Sequence, residues 1–233
     1  MKKILFIFTV AVFATLSVIG INNPPPLSDV LDHAVHKTGV QSDGKVLLAG
    51  DFSQDFLIRL NSDNSIDTTF ASNVRIGLFN RTVKDFAILN DDSILVVGNF
   101  TSFDQSLTGY IAKLDKNGNL DSHFTSNSGA GFDDEVTKIK VLDGKIILVG
   151  KFTSYNGDPV NKIAMLKSNG TLDSNFNKNG QGFDKAPSDI AVSPNRKSIY
   201  ISGDFSSFNG DMYPYIVKMN HRGLASEDFG LIE

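Results

Sequence analysis

The chain repeats itself about every fifty residues, and no other property narrows its choice of fold so far. "VGNFTSFDQSL" from Val97, "VGKFTSYNGDP" from Val149 and "SGDFSSFNGDM" from Ser202 are versions of one stretch, and "AGDFSQDFLIR" from Ala49 is a clipped fourth. Gly-x-Phe anchors fall at Gly50/Phe52, Gly98/Phe100, Gly150/Phe152 and Gly203/Phe205, with steps of 48, 52 and 53 residues between the glycines. A second aromatic series, Phe70, Phe124, Phe176 and Phe229, follows its anchor phenylalanine by 18 residues in the first unit and by 24 in the other three. A third series, Phe79, Phe132 and Phe183, opens the next unit, and Asn80, Asp133 or Asp184 follows it. With Phe103 and Phe208, 13 of the 18 phenylalanines hold repeat positions, which assigns them to the scaffold of each unit.

Within a unit the patterns are short and extended. "VTKIKVLDGKIILVGKF" gives an alternating stretch, an Asp143-Gly144 turn and a continuous apolar run from Ile146 to Val149, the signature of a hairpin. "NKIAMLKSNGTLDSNF" adds a third strand near Ile163–Leu166, an Asn169-Gly170 turn and a short fourth strand ending at Phe176. No window sustains helical periodicity. Runs such as "KIILVG" call for burial on both faces of the second strand, so the units must stack. The expected fold is all-β: a β-propeller-like array of four four-stranded antiparallel blades, closed as a four-bladed ring or left as an open arc. A β-solenoid is the weaker alternative, because its coils run to about 20–30 residues.

"VQSDGKVLLAGDF" (Val40 to Phe52), "IAKLDKNGNLDSHF" (Ile111 to Phe124) and "IAMLKSNGTLDSNF" (Ile163 to Phe176) resemble the bacterial delta-60 repeat. The resemblance extends from Val40 to Phe229. It implies a propeller-like β fold in exported bacterial proteins, with no catalytic residues to carry over. The chain departs from the pattern at "VLDGK", one residue short, at "SPNRK", where Asp-Gly is expected, and at "LASEDF", which lacks the usual aspartate. A loosened last unit suits a capping role.

Two lysines, an apolar run from Ile4 to Ile21 and the proline-rich "NNPPPLSD" have the layout of a signal peptide. The expected organisation is a signal peptide at 1–20, a linker at 21–31 and a repeat domain at 32–233. The units are placed at about 32–78, 79–131, 132–182 and 183–233. The protein is expected to be exported, whether secreted, periplasmic or on the cell surface; an uncleaved N-terminal anchor is the alternative, and no other membrane insertion is expected. A formal charge of −4 provides no basic surface for nucleic acid. The absence of cysteine excludes disulfides, thiolate metal sites and cysteine catalysis.

No cofactor, metal or catalytic residue is indicated. "DKNGNLD" (Asp115 to Asp121) alternates oxygens as a calcium loop does, but its glycine is fourth rather than sixth, which favours a hairpin turn. His33 and His36 lack the glutamate of a zinc-protease helix, and no nucleophile elbow or phosphate loop is present. The loops after the second strands are the expected partner-binding positions: Asp104 and Gln105; Tyr155, Asn156 and Asp158; Phe208, Asn209 and Asp211. The same residues also have a structural reading, in which Asn-Gly makes a turn and the aromatic plugs the blade.

Two functions are weighed. The first is a non-catalytic binding or scaffold module for protein or glycan partners, which would self-associate if an open arc exposed its edges. The second is a glycan hydrolase or lyase. It would draw on Asp85, Asp134, Glu135 and Asp189 and would need paired carboxylates about 5–9 Å apart.

Overall fold

A computed structural model describes residues 27–53, 55–74, 78–227 and 229. The expected signal peptide and residues 21–26 of the expected linker lie outside the described residues. The description begins with a short helix, α1 (Leu27–Val30), and continues into four three-stranded antiparallel sheets, one per unit. The first holds β1 (Val35–Val40), β2 (Val46–Gly50) and β3 (Leu57–Leu60), and α2 (Thr68–Val74) follows it. The second holds β4 (Val83–Ile88) and β5 (Ile94–Gly98), a small hairpin of β6 (Ser102–Phe103) with β7 (Ser106–Leu107), and β8 (Ile111–Leu114); α3 (Ser122–Ser128) follows. The third repeats this plan with β9 (Val136–Leu142), β10 (Lys145–Gly150), the hairpin β11 (Ser154–Tyr155) and β12 (Asp158–Pro159), and β13 (Ile163–Lys167). The fourth has β14 (Pro187–Val192), β15 (Ile199–Gly203), the hairpin β16 (Ser207–Phe208) and β17 (Asp211–Met212), and β18 (Ile216–Met219).

The expected four-stranded blade is corrected in one respect. Its fourth strand shrinks to a single bridge in each unit: Leu60 with Ile66, Leu114 with Leu120, Leu166 with Leu172 and Met219 with Ala225. In the first two units the cause is the Asp-x-x-Phe of the repeat. The Asp121 carboxylate accepts the backbone N–H groups of His123 and Phe124, both at 3.0 Å, and so starts a helix where a strand would have continued. Asp67 does the same for Thr69 and Phe70. The turn carries Phe70 and Phe124 back onto the sheet, where they are buried.

The anchor glycine sits where the ladder between the first and second strands slips register. A Cβ on Gly98 would stand 2.1 Å from the Thr82 carbonyl oxygen, and one on Gly150 would stand 2.2 Å from that of Glu135. Only glycine admits that approach, which is why the anchor recurs.

Stacking follows from strand alternation. Leu47 and Ala49 of β2 meet Ile94 and Val96 of β5; Leu95 and Val97 meet Ile146 and Leu148 of β10; Ile147 and Val149 meet Ile199 and Ile201 of β15. The inner central strands are therefore covered on both faces, which explains their unbroken apolar runs. β1, β4, β9 and β14 pack side by side in chain order. Between the first two units, buried Arg59 pairs with Asp67 (2.9 Å) and donates to Gln41 (3.0 Å) and the Lys116 carbonyl, with its guanidinium 4.3 Å from the centre of the Phe70 ring. The fold is all-β, antiparallel and propeller-like.

Among the described residues, no apolar cluster joins the fourth sheet to the first. The outer face of the first sheet, with Leu48, Phe52, Ile58 and Leu60, is covered by Leu27, Val30 and Leu31, so the end of the expected linker packs as a cap. On the fourth sheet the matching outward positions are Tyr200, Ser202, Ile216 and Lys218, none of them buried. Among the described residues, no helix is long and apolar enough to cross a membrane.

Candidate functional site

At one rim of the stack, three of the recurring aromatics meet in each of the last three units. Phe79 lies 4.8 Å, centroid to centroid, from both Phe100 and Phe103. Phe132 packs on Phe152 and Tyr155 at 4.3 and 4.6 Å, and Phe183 on Phe205 and Phe208 at 4.5 and 4.6 Å. The residue after each opening phenylalanine ties the hairpin down. Asn80 accepts from the N–H groups of Thr101 and Ser102, Asp133 from those of Thr153 and Ser154, and Asp184 from those of Ser206 and Ser207. The Ser206 hydroxyl and its neighbouring N–H groups hold the Asp184 carboxyl well below the usual carboxylate range. Burial opposes the same effect at Asp133, yet the Thr153 hydroxyl and the N–H groups of Ser154 and Thr153 still lower it.

Most of the loop positions expected to bind partners prove to belong to this scaffold. Tyr155 and Phe208 are each 1% exposed, which corrects their assignment to a binding surface: they complete the aromatic triads. The Tyr155 hydroxyl donates to the Gly170 carbonyl, and burial pushes its pKa up to about 12. Asp104 and Gln105 form the hairpin tip with left-handed φ of 47° and 63°; Asn156 (49°) and Asn209 (55°) each begin an Asn-Gly tip. Their N–H groups donate to the carbonyls of Leu78, Gly131 and Gly182 at 2.6–2.8 Å for Asp104, Asn156 and Asn209. Asp158 and Asp211 remain exposed on the outer hairpin strands.

The concave feature of this rim lies between the second and third units. Asn80, Arg81, Asn99, Thr101, Tyr110, Asp134 and Glu135 line a cavity of about 300 Å³. Tyr110 has a left-handed backbone (φ 67°), held by its N–H to the Phe100 carbonyl at 3.0 Å and by its carbonyl accepting from Gly98 at 3.3 Å. Lys162 (66°) and Tyr215 (70°) repeat that geometry, so the strain belongs to the unit. Glu135 pairs with Lys151 at 2.8 Å, which raises the pKa of the ammonium. Arg81 makes no ion pair among the described residues. The Asn99 Oδ1 is buried without a hydrogen-bond partner.

Of the four acids considered for catalysis, the structure brings Asp134 and Glu135 to this cleft. Asp85 is instead buried between first strands, 3.5 Å from Lys37 and accepting from Ile139 N–H at 3.2 Å, and Asp189 lies exposed on the last unit. The histidines are dispersed: His33 contacts Asp32, His36 contacts Asp51 and His221 contacts the Arg196 carbonyl. Among the described residues, no three His, Asp or Glu side chains assemble as a metal site. The Asp115 loop is closed by its own carboxylate, which accepts from Asn117 and Asn119 N–H groups at 2.8 and 2.9 Å. The cleft itself was missed by sequence reasoning. Its signal was the middle residue of Gly-x-Phe, which is charged in three units and is a neutral asparagine in the second.

Stacked antiparallel sheets tied by recurring Gly-x-Phe and Asp-x-x-Phe residues define a β-propeller-type repeat protein. The family described as domain of unknown function (DUF5122), beta-propeller, matches residues 41–70, 89–124 and 142–176, so three units carry its repeat, in agreement with the delta-60 resemblance. No curated protein matches the chain. Among solved structures, it is similar to the computationally designed Ika8 protein, at 12% identity and a TM-score of 0.43 over 81% of this chain and 56% of that one. It is also similar to a protein of unknown function from Bacteroides caccae (16%, TM-score 0.40, 81% and 64%). A third is PorZ, a surface component of the type-IX secretion system of Porphyromonas gingivalis (14%, TM-score 0.35, 83% and 27%). The chain spans less than two thirds of each of these structures.

Proposed function

We propose that the chain is an exported, non-catalytic module, an open arc of four propeller-type blades, that binds a protein or glycan partner through the rim carrying the hairpins. One observation carries this reading. The recurring residues are absorbed by aromatic packing, tight backbone approach and capping, whereas Arg81, Asn99, Asp134 and Glu135 differ from unit to unit and gather at one cleft. A rigid scaffold with a variable polar recess suits recognition.

The presence of both Asp134 and Glu135 in the cleft supports a second reading, a glycan hydrolase. An array of bacterial envelope glycans, scored for both retention and product release by the full chain, separates the two. Retention without release is expected. Release that disappears in Asp134→Ala or Glu135→Ala would replace the binding reading with the hydrolase.

A further inference from the structure

The rim opposite the hairpins is built from turns, and its charge reverses along the stack. The turn after the first strand carries Asp43 in the first unit, Asp91 and Asp92 in the second and Asp143 in the third, but Arg196 and Lys197 in the fourth, where it is one residue longer than in the first two. The turn after the third strand is closed in every unit by one backbone bond, from the N–H of Asn61, Asp115, Lys167 or Asn220 to the carbonyl four residues on. Its middle residue is Asp63, Asn117 or Asn169 in the first three units and Arg222 in the fourth. The packing demands of the repeat recur in all units, so a reversal confined to one of them is not a demand of the repeat.

The two turns of the fourth unit are tied to each other through His221 Nε2 and the Arg196 carbonyl, while the Arg196 guanidinium is taken by Asp143 of the third unit at 2.8 Å. Lys197, Asn220, His221, Arg222 and Leu224 line a recess of about 390 Å³ there, within the range of ligand sites. Among the described residues, Lys197 and Arg222 bond to side chains only through their backbone N–H groups, with Asn195 and Asn220 at 3.1 and 2.8 Å, and neither enters an ion pair. The Asn220 Oδ1 accepts from the Arg222 and Leu224 N–H groups at 2.8 and 3.2 Å, which leaves its amide nitrogen to donate. No acid lines the recess. Its free side-chain groups are therefore an ammonium, a guanidinium and an amide donor, with two positive charges and nothing beside them to neutralise either.

We propose that this recess binds a phosphate monoester. Two unpaired cations match a group that carries close to two negative charges at neutral pH, whereas a carboxylate would leave one of them unmatched. Three acceptor oxygens also match the three donor groups, with the planar guanidinium of Arg222 taking oxygens as a fork and Lys197 acting as a point charge. Leu224, 54% exposed at the wall, leaves the carrier of the phosphate an apolar edge. The site stands at the rim opposite the one assigned to partner binding and is independent of that reading. Its charges are solvated and screened, so the affinity is weak and falls with salt.

The test follows the amide NMR spectrum of the isotopically labelled full chain during titration with glycerol phosphate and phenyl phosphate, which present the same ester on a polar and on an apolar carrier. Acetate and glycerol serve as the singly charged and neutral counterparts. Cross-peaks of residues 195–198 and 220–224 are expected to shift and saturate with a Kd of about 1 mM, severalfold weaker when sodium chloride is raised from about 0.05 to about 0.3 M. Acetate should bind about tenfold more weakly, and glycerol should move no peak. The double variant Lys197→Gln with Arg222→Gln should weaken ester binding about tenfold or more; Lys116→Gln, on the same rim in the second unit, should leave it unchanged, and thermal melts check that both fold. Saturation by one ester alone upholds the site and identifies its carrier. Failure of both esters to saturate, acetate binding as tightly as the esters, or ester binding that survives the double variant overturns the proposal and leaves the hairpin-rim reading standing.

Discussion

The two ends of the stack solve one problem differently. An inner sheet buries both faces, but the first and last sheets each have a face with no neighbouring unit. The first keeps that face apolar and covers it with Leu27, Val30 and Leu31; the fourth has changed its residues, so that Tyr200 and Ser202 stand where Leu95 and Val97 or Ile147 and Val149 stand inside. Covering an apolar sheet face with a short apolar segment is what a capping element of a repeat protein does. The N-terminal cover keeps the repeat sequence intact, whereas the fourth face has exchanged its apolar residues and carries Phe229, whose ring lies 5.7 Å from that of Tyr200 and 6.0 Å from the Lys218 ammonium.

The comparison can be broken most sharply by moving the terminal residue inward. Val149→Ser places the fourth unit's residue in a fully buried interface and should cost about 3 kcal/mol, combining lost burial of the valine with an unpaired hydroxyl, read as a lowered midpoint in urea. A stable variant would show that the third and fourth sheets are not packed as described. Next comes the clipped first unit, where Asp55 Oδ1 is buried without a partner and burial pushes the carboxyl up to about 6. A carboxyl raised above its unfolded value favours the folded state when protonated, so stability is reduced as pH rises from about 4 through 6. Asp55→Asn should therefore raise the melting temperature at pH 7 and flatten its pH dependence between 5 and 7, which differential scanning calorimetry checks. Leu31→Ser, which thins the N-terminal cap, should cost about 1 kcal/mol by the same urea titration. The smallest effect on folding belongs to Tyr200→Leu with Ser202→Val, within about 0.5 kcal/mol. This double variant should instead raise the sedimenting mass relative to the unaltered chain, because it gives the fourth sheet an inner-type apolar face.

The sequence made much of the unit legible, and particular residues show why. Gly98 and Gly150 recur because their backbone approach tolerates no Cβ, and Phe100, Phe152 and Phe205 recur because each fills the same aromatic triad. Constraints repeated in every unit leave repeated letters. The helix-capping role of Asp121 was hidden, since one carboxylate accepting two N–H groups looks in sequence like the end of a strand. Tyr155 was misplaced for a related reason: it precedes an exposed turn by one position, and only packing shows that its ring points inward. The cleft was illegible because Asn99 and Tyr110 come from one unit and Asp134 and Glu135 from the next, and local spacing carries no information about which rims meet.

By itself the sequence determined the unit: its length, its antiparallel strands, its turns and the residues that face a neighbour, all set by local φ/ψ demands and by side-chain alternation. Tertiary structure decided what happens where units meet and where they stop. The bond from Arg59 to the Lys116 carbonyl between the first two units, the cap formed by Leu27 to Leu31 and the cleft that Asn99 shares with Asp134 exist only because segments distant in the chain come to share one space. Desolvation makes a pair or an orphan matter, and it is a property of the packed assembly that no single stretch of the chain possesses.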